Sequence, residues 1–229
     1  MAILFITQRV PYPPNKGEKL RTYHQIKHLL DKGYGITVAC PIADKQEAEY
    51  AQALTDKLGV EVISAPLRNT ALSYVSAILT GQSLSEAKFY SAQLTSLIHQ
   101  ALISQNYTAI ICSASSLAQY IWDLPSALAN SMSCIKVMDF MDLDSDKWAQ
   151  YATKAPWPMS WVYSREAEKV KQLEQRVVDH FDRSFFISQK EVDLFESQNP
   201  HLIQRRVLAI GNGIETEYFS PKPIQEKQA

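Results

Sequence analysis

The chain has 229 residues, of which 46% are hydrophobic and 21% are charged. This composition is that of an ordinary globular domain, and it excludes a mostly disordered chain. The 23 basic and 24 acidic residues give a net charge of -1, which argues against a nucleic-acid-binding protein, because non-specific binders carry a basic excess.

The sequence also excludes several common kinds of site and segment. Its 7 glycines form neither the dinucleotide-binding pattern G-x-G-x-x-G nor a P-loop. No run of about 18 apolar residues is present, so we expect no membrane-spanning helix. The 3 cysteines form no C-x-x-C pair, and an odd number of thiols is typical of a reducing compartment. We therefore expect buried free thiols and a cytoplasmic protein.

Apolar runs alternate with helix-period segments along the whole chain. This pattern predicts a doubly wound α/β domain, with helices on both faces of a mostly parallel sheet of about seven strands. The predicted strands are residues 2–6, 36–40, 60–65, 109–112, 135–139, 184–187 and 207–210. The predicted helices are residues 19–30, 45–58, 71–79, 84–104, a segment through 117–121, 142–152, 161–181 and 190–197.

The loop after the first strand is the first candidate site. In open parallel sheets, ligands bind at the carboxyl ends of the strands, near the point where the strand order reverses. This loop is rich in proline and ends at Gly17, where a helix begins. Exposed N–H groups at a helix N-terminus attract anions, and Lys16, Lys19 and Arg21 add positive charge. The loop is a candidate phosphate site, and a solvated basic helix start is the alternative.

A second candidate site follows the fifth strand, where Asp139, Asp142, Asp144 and Asp146 lie close together in the sequence. One of these carboxylates could act as a general base for a hydroxyl nucleophile, and helix capping is the structural alternative. The last three resemble the start of a calcium loop, but Lys147 stands where that loop needs glycine. We therefore expect no bound metal.

A cluster of tryptophans follows at a corner that contains Pro156 and Pro158. Trp148, Trp157 and Trp161 either pack this corner or line an apolar patch for an acceptor or a membrane surface.

Three segments of the chain resemble a known family. They are PYPPNKGEKLRTYH after the first strand, VMDFMDLDSDKWAQYA at the fifth, and IGNGIETEYFSP at residues 210–221. Together with DHFDRSFFIS at the sixth strand, they resemble the N-terminal, acceptor-side domain of family 4 glycosyltransferases of the GT-B fold. Within that family, the first two of these segments are most similar to the sugar transferases associated with exosortase (PEP-CTERM) and exopolysaccharide systems.

The resemblance implies transfer of a sugar from a nucleotide-sugar to an exopolysaccharide or lipid-linked acceptor, with retention of configuration and without a metal or cofactor. It implies that Gly17 and Lys16 form the loop at the donor phosphates. Many family members carry a histidine after the fifth strand, whereas this chain has Asp142, or less favourably Asp139, as the candidate catalytic residue. Candidates for acceptor contacts come from the same two segments, and they are Arg21, Asp144, Lys147 and Trp148.

The resemblance covers residues 1–221 and makes residues 222–229 a linker toward a donor-binding domain. Because the groups that stabilise the leaving diphosphate are expected in that domain, we expect the chain alone to be an incomplete enzyme. The alternative is a non-catalytic Rossmann-like module that binds an acceptor or a partner chain, with peripheral contact to the inner face of the membrane.

Overall fold

The computed structural model describes residues 1–67, 70–122, 124–131, 133–205 and 207–213. The segment 214–221 of the family resemblance and the expected linker 222–229 lie outside these residues. The strands within them are β1 (Ala2–Ile6), β2 (Gly35–Ile42), β3 (Glu61–Pro66), β4 (Tyr107–Cys112), β5 (Ile135–Met141), β6 (Arg183–Phe186) and β7 (Val207–Ala209). They form one sheet of seven parallel strands in the order β3-β2-β1-β4-β5-β6-β7. The predicted fold class is thus confirmed.

Helices cover both faces of this sheet. They are α1 (Gly17–Asp31), α2 (Lys45–Leu58), α3 (Thr70–Thr80), α4 (Leu84–Lys88), α5 (Ala92–Ser104), α6 (Gln119–Trp122), α7 (Ser126–Ser131), α8 (Asp144–Lys154), α9 (Met159–His180) and α10 (Gln189–Gln198). Among the described residues, no helix is both long and apolar enough to cross a bilayer.

Strand β1 shows how the two faces are separated, because successive side chains of a strand point in opposite directions. Leu4 and Ile6 belong to the larger apolar core, which also contains residues of α5, α9 and α10. Ile3 and Phe5 belong to the smaller core, with residues of α1 and α2. The chain therefore has three layers, and the sheet is buried on both sides.

The single helix predicted over residues 84–104 is wrong. Instead, α4 ends at Lys88 and α5 begins after Ser91, whose side chain accepts a hydrogen bond from the Leu94 N–H. The buried Tyr120 hydroxyl donates to the Phe89 carbonyl at 2.6 Å and accepts from the Ser91 N–H at 2.9 Å. Because these bonds satisfy the backbone at the break, the two helices are stable as separate elements.

Candidate functional site

A cleft of about 450 Å³ opens at the carboxyl ends of the strands. It lies where β1 and β4 are neighbours, which is the point where the strand order reverses and the usual ligand position in such sheets. Residues that follow five strands contribute to its wall, and examples are Thr7, Gln8, Ser113, Asp142, Ile187 and Asn212. The cleft lies at the edge of the sheet where the sequence predicts the site, and its role as the site stays a prediction.

The N-terminus of α1 faces the cleft through Gly17 and Glu18. Lys16 is the N-cap residue, its side chain is exposed, and it makes no capping hydrogen bond. The first hydrogen bond of the helix runs from the Leu20 N–H to the Lys16 carbonyl. The N–H groups of the first turn are therefore directed at the cleft end of the helix, where they can bind an anion.

Gly17 has open space around its Cα. A Cβ built there would meet no atom within 4 Å, and the residue does not have the positive φ that would demand glycine. Neither backbone conformation nor packing within the chain thus explains a glycine at this position. The open space leaves room for a ligand to approach the helix backbone closely.

Lys19, another basic residue of this region, lines the cleft, but its ammonium group contacts other parts of the chain. It is buried, its Nζ donates to the Tyr12 carbonyl at 3.3 Å, and it lies 5.2 Å from the centre of the Tyr50 ring. Burial lowers the pKa of Lys19, and Glu47 opposes that shift. Its function here is to hold the proline loop against α1 and α2.

Arg21 and Asp139 form a buried ion pair behind the cleft. The guanidinium donates twice to the carboxylate, from Nε to Oδ2 at 2.7 Å and from Nη2 to Oδ1 at 3.1 Å. The two side chains are only 4% and 3% exposed. Gln25 donates to the same carboxylate at 2.7 Å. Such a two-pronged pair, with its remaining polar atoms satisfied, is rigid and sensitive to the loss of either partner.

The free edge of the Arg21 guanidinium holds the segment that follows β7. Its Nη1 donates to the Ile210 carbonyl at 2.8 Å and to the Asn212 Oδ1 at 2.9 Å. Arg21 therefore connects α1, β5 and residues 210–212. Sequence reasoning treated Arg21 as an acceptor contact and Asp139 as an alternative base. The structure places both in one buried ion pair that supports the wall of the cleft.

Asp142 lies at the end of β5, just after an irregular strand end. The pairing of β5 with β6 shifts between Asp139 and Met141, and Met141 has a left-handed backbone with φ of 64°. Such a φ is rare for a side chain of this kind and is found mostly at turns and functional sites. The bend brings Asp142 to the cleft wall, where its side chain is 46% exposed.

Lys147 lies between two carboxylates at the cleft. Its Nζ is 2.9 Å from an oxygen of Asp144 and 3.3 Å from an oxygen of Asp142. Burial alone would lower the pKa of Lys147, but the two aspartates outweigh it and raise that pKa above its usual value. The ammonium group therefore stays charged and fixes both carboxylates, which limits the repulsion between them.

Two glutamates from other helices hold the start of α8, which carries Asp144 and Lys147. Glu174 is buried in α9, and it binds the Ser145 N–H at 3.0 Å and the Ser145 hydroxyl at 2.5 Å. Burial raises the pKa of Glu174 to about 8, against the effect of these bonds. Glu191 accepts the Leu143 N–H at 3.3 Å, and burial also raises its pKa. Sequence reasoning missed both residues, because their partners are far away along the chain.

Trp148, the last predicted site residue, does not line the cleft. It lies in a neighbouring cavity, where its ring centre is 5.8 Å from that of Tyr151 and 5.5 Å from that of Tyr163. Over the described part of the chain, no group of three or more His, Cys, Asp or Glu side chains is placed to hold a metal ion.

Comparison with known proteins gives a likeness to solved structures but not to known sequences. Neither a protein-family model nor a curated protein sequence matches this chain. Among solved structures, the chain is similar to one described as lipopolysaccharide outer core galactosyltransferase WaaB, apo form. The TM-score is 0.53 and the identity is 14%, over 100% of this chain and 51% of the other.

The chain thus spans about half the length of that galactosyltransferase. At this level of identity the likeness shows the fold, and it confirms a Rossmann-like α/β fold that also occurs within a glycosyltransferase. The family 4 assignment and the exosortase association stay predictions.

Proposed function

We propose that this chain is the acceptor-side half of a retaining family 4 glycosyltransferase, which transfers a sugar from a nucleotide-sugar to an exopolysaccharide or lipid-linked acceptor. The observation that carries this proposal is the uncapped N-terminus of α1, opened by Gly17 onto the cleft at the β1–β4 junction. The structural likeness to a glycosyltransferase and the sequence resemblance over residues 1–221 support it.

In this proposal the diphosphate of the donor approaches the first turn of α1. The N–H groups around Gly17 bind its oxygens, the exposed Lys16 contributes positive charge, and the missing Cβ lets the phosphate reach the backbone. The nucleoside itself binds to a second, donor-binding domain. Because that domain supplies further contacts to the diphosphate, we expect this half to bind nucleotides only weakly alone.

The acceptor hydroxyl lies next to Asp142 in the same cleft. The bond between its oxygen and the anomeric carbon forms as the bond from that carbon to the diphosphate oxygen breaks. The electron pair leaves with the nucleoside diphosphate, and the hydroxyl proton passes to the Asp142 carboxylate. Asp144 and Lys147 bind neighbouring hydroxyl groups of the acceptor, while the Arg21–Asp139 pair holds the walls of the cleft in place.

The test begins with binding of UDP, GDP and pyrophosphate to the 229-residue chain, measured by titration calorimetry. Gly17→Val is expected to abolish any binding, because its side chain fills the space in front of the helix. The matched control is Gly35→Val at the amino end of β2, where a Cβ would meet only the Met1 carbonyl at 4.0 Å. That variant should bind as the original chain does.

The second step is sugar transfer by this half together with the donor-binding half, supplied as a longer chain or as a separate polypeptide. Labelled UDP- and GDP-sugars are offered with lipid-linked and free oligosaccharide acceptors. If the pair binds no nucleotide-sugar and transfers nothing, the proposal is wrong. Acceptor binding without nucleotide binding would favour a non-catalytic module instead.

A further inference from the structure

A second cavity, of about 440 Å³, adjoins the cleft. Gln8, Asp144 and Lys147 line both cavities, so the two meet at these side chains. The walls of the second cavity, which we call the apolar pocket, come from α3, α4, α8 and α9. They include Tyr74, Leu84, Phe89, Trp148, Val162 and Tyr163.

The apolar pocket is built to hold a hydrocarbon group rather than a polar one. Its volume lies within the range of small-molecule sites, roughly 300–1,000 Å³, and aromatic rings form much of its wall. The polar groups at its base are already engaged. Glu166 accepts hydrogen bonds from the Leu84 N–H, the Ser85 N–H and the Ser85 hydroxyl, all between 2.7 and 2.8 Å. The Glu166 carboxylate is therefore occupied by the backbone and side chain of α4.

One cation on the wall of the apolar pocket is available to a ligand. Lys88 is exposed, and its Nζ lies 5.3 Å from the centre of the Phe89 ring. Among the residues that the structure describes, no carboxylate lies within ion-pair distance of Lys88. Lys147, in contrast, is neutralised by Asp142 and Asp144. An anionic group on the ligand is therefore attracted to Lys88.

The apolar surface continues outward from the pocket. Met159 lines the pocket and is itself 41% exposed. A hydrocarbon chain longer than the pocket thus has an apolar path toward the outside.

We propose that the apolar pocket binds the lipid part of the acceptor, an amphiphile whose hydrocarbon chain ends in a phosphate. The chain lies against Trp148, Val162 and Tyr163, the phosphate faces Lys88, and the rest of the acceptor extends past Lys147 into the cleft. This inference rests on the proposed glycosyltransferase function and selects the lipid-linked acceptor over a free polysaccharide.

Two classes of lipid share this chemistry, and a set of small probes distinguishes them. Binding to the 229-residue chain is measured by titration calorimetry for a chain-length series of dimethylallyl phosphate and geranyl phosphate, and for decyl phosphate, geraniol, inorganic phosphate and cellotetraose. Each methylene removed from water changes affinity by about fourfold, so geranyl phosphate should bind at least tenfold more tightly than dimethylallyl phosphate. A preference for geranyl over decyl phosphate assigns an isoprenoid chain, and the reverse assigns an acyl-type chain.

Variants locate the binding. Val162→Trp fills the pocket and should weaken geranyl phosphate binding at least tenfold. Ser164→Trp puts the same side chain at an exposed position on α9 outside this pocket, and should leave binding unchanged. Lys88→Gln should weaken geranyl phosphate several-fold without affecting geraniol, while Lys169→Gln on α9 is its control.

The inference is overturned if neither geranyl phosphate nor decyl phosphate binds, or if cellotetraose binds more tightly than both. It is also overturned if Val162→Trp and Ser164→Trp bind geranyl phosphate with equal affinity. Should Val162→Trp fail to fold, the chain-length series and Lys88→Gln decide the question. Failure of this inference can be told apart from failure of the proposed function, because the proposed function is read from nucleotide-sugar binding and sugar transfer by the two halves together. If the chain binds the lipid probes but the two halves together bind no nucleotide-sugar and transfer no sugar, the transferase proposal is wrong and the pocket proposal stands. If the two halves transfer sugar but the chain binds no lipid probe, the pocket proposal is wrong and the transferase proposal stands.

Discussion

Replacement of Glu174 by glutamine should stabilise the chain, increasingly so as the pH rises. Glu174 is 1% exposed, and burial raises its pKa from 4.5 to about 8. At neutral pH the native state therefore holds a protonated carboxyl that the unfolded chain does not. A glutamine keeps the same contacts, because its carbonyl accepts the Ser145 N–H and its amide donates to the Ser145 hydroxyl oxygen.

The sign and the size of this stability difference follow from the linkage between folding and protonation of Glu174. Because the folded pKa lies above the unfolded one, the stability that the protonated Glu174 provides is fully present below about pH 4.5 and is lost as the pH rises to about 8. Each pH unit in that window is worth about 1.4 kcal/mol. Over the whole window the free energy of unfolding falls by an amount on the order of 5 kcal/mol in the original chain. It should not fall in this way in Glu174→Gln, which has no carboxyl group to ionise at this position.

The assay is urea unfolding of both proteins at pH 5, 6, 7, 8 and 9. Circular dichroism and tryptophan fluorescence should give coincident transitions, as the two-state treatment requires. The control is Glu168→Gln, the same change on the exposed side of α9, which should shift the free energy of unfolding by less than about 0.5 kcal/mol. A stability difference that stays constant from pH 5 to 8 would refute the reasoning, since Glu174 would then ionise alike in both states.

Four further outcomes are expected. Gly17→Ala should raise the free energy of unfolding by about 0.5 kcal/mol and yet weaken UDP binding. Scanning and titration calorimetry measure the two properties, and the prediction is wrong if stability and affinity both rise or both fall. Arg21→Lys keeps the charge but loses the paired bonds to Asp139, and urea unfolding should show a loss on the order of 3 kcal/mol. Tyr120→Phe leaves two backbone groups unpaired and should cost about 1–3 kcal/mol in the same assay. Asp142→Asn should lower the kcat of sugar transfer by the complete enzyme about 100-fold, whereas Asp146→Asn, outside the cleft, should not; equal rates would exclude Asp142 as the base.

The position of the cleft could be predicted from the sequence, because it depends on local signals. The alternation of strands and helices determines a doubly wound sheet, and such a sheet places the loop at Gly17 and the end of β5 at the same edge. The contact between Asp144 and Lys147 is also local, since residues three apart lie on one side of a helix.

The contacts that brace the cleft could not be predicted in this way. Arg21 and Asp139 are 118 residues apart, and Ser145 and Glu174 are 29 residues apart. Hydrophobic periodicity carries no information about which buried charge meets which partner. Glutamate at positions 166 and 174 falls within an ordinary amphipathic helix pattern, and only the packing of α4 and α8 against α9 shows that both carboxyl groups are helix caps.

The planar Arg21 guanidinium also has a mechanical consequence. One edge is fixed to Asp139 on β5, and the other grips residues 210 and 212. A displacement of residues 210–212 would therefore also displace Arg21 and, with it, α1, whose first turn faces the cleft. The segment after β7 and the end of α1 that faces the cleft are therefore linked through a single side chain, and we expect them to shift together.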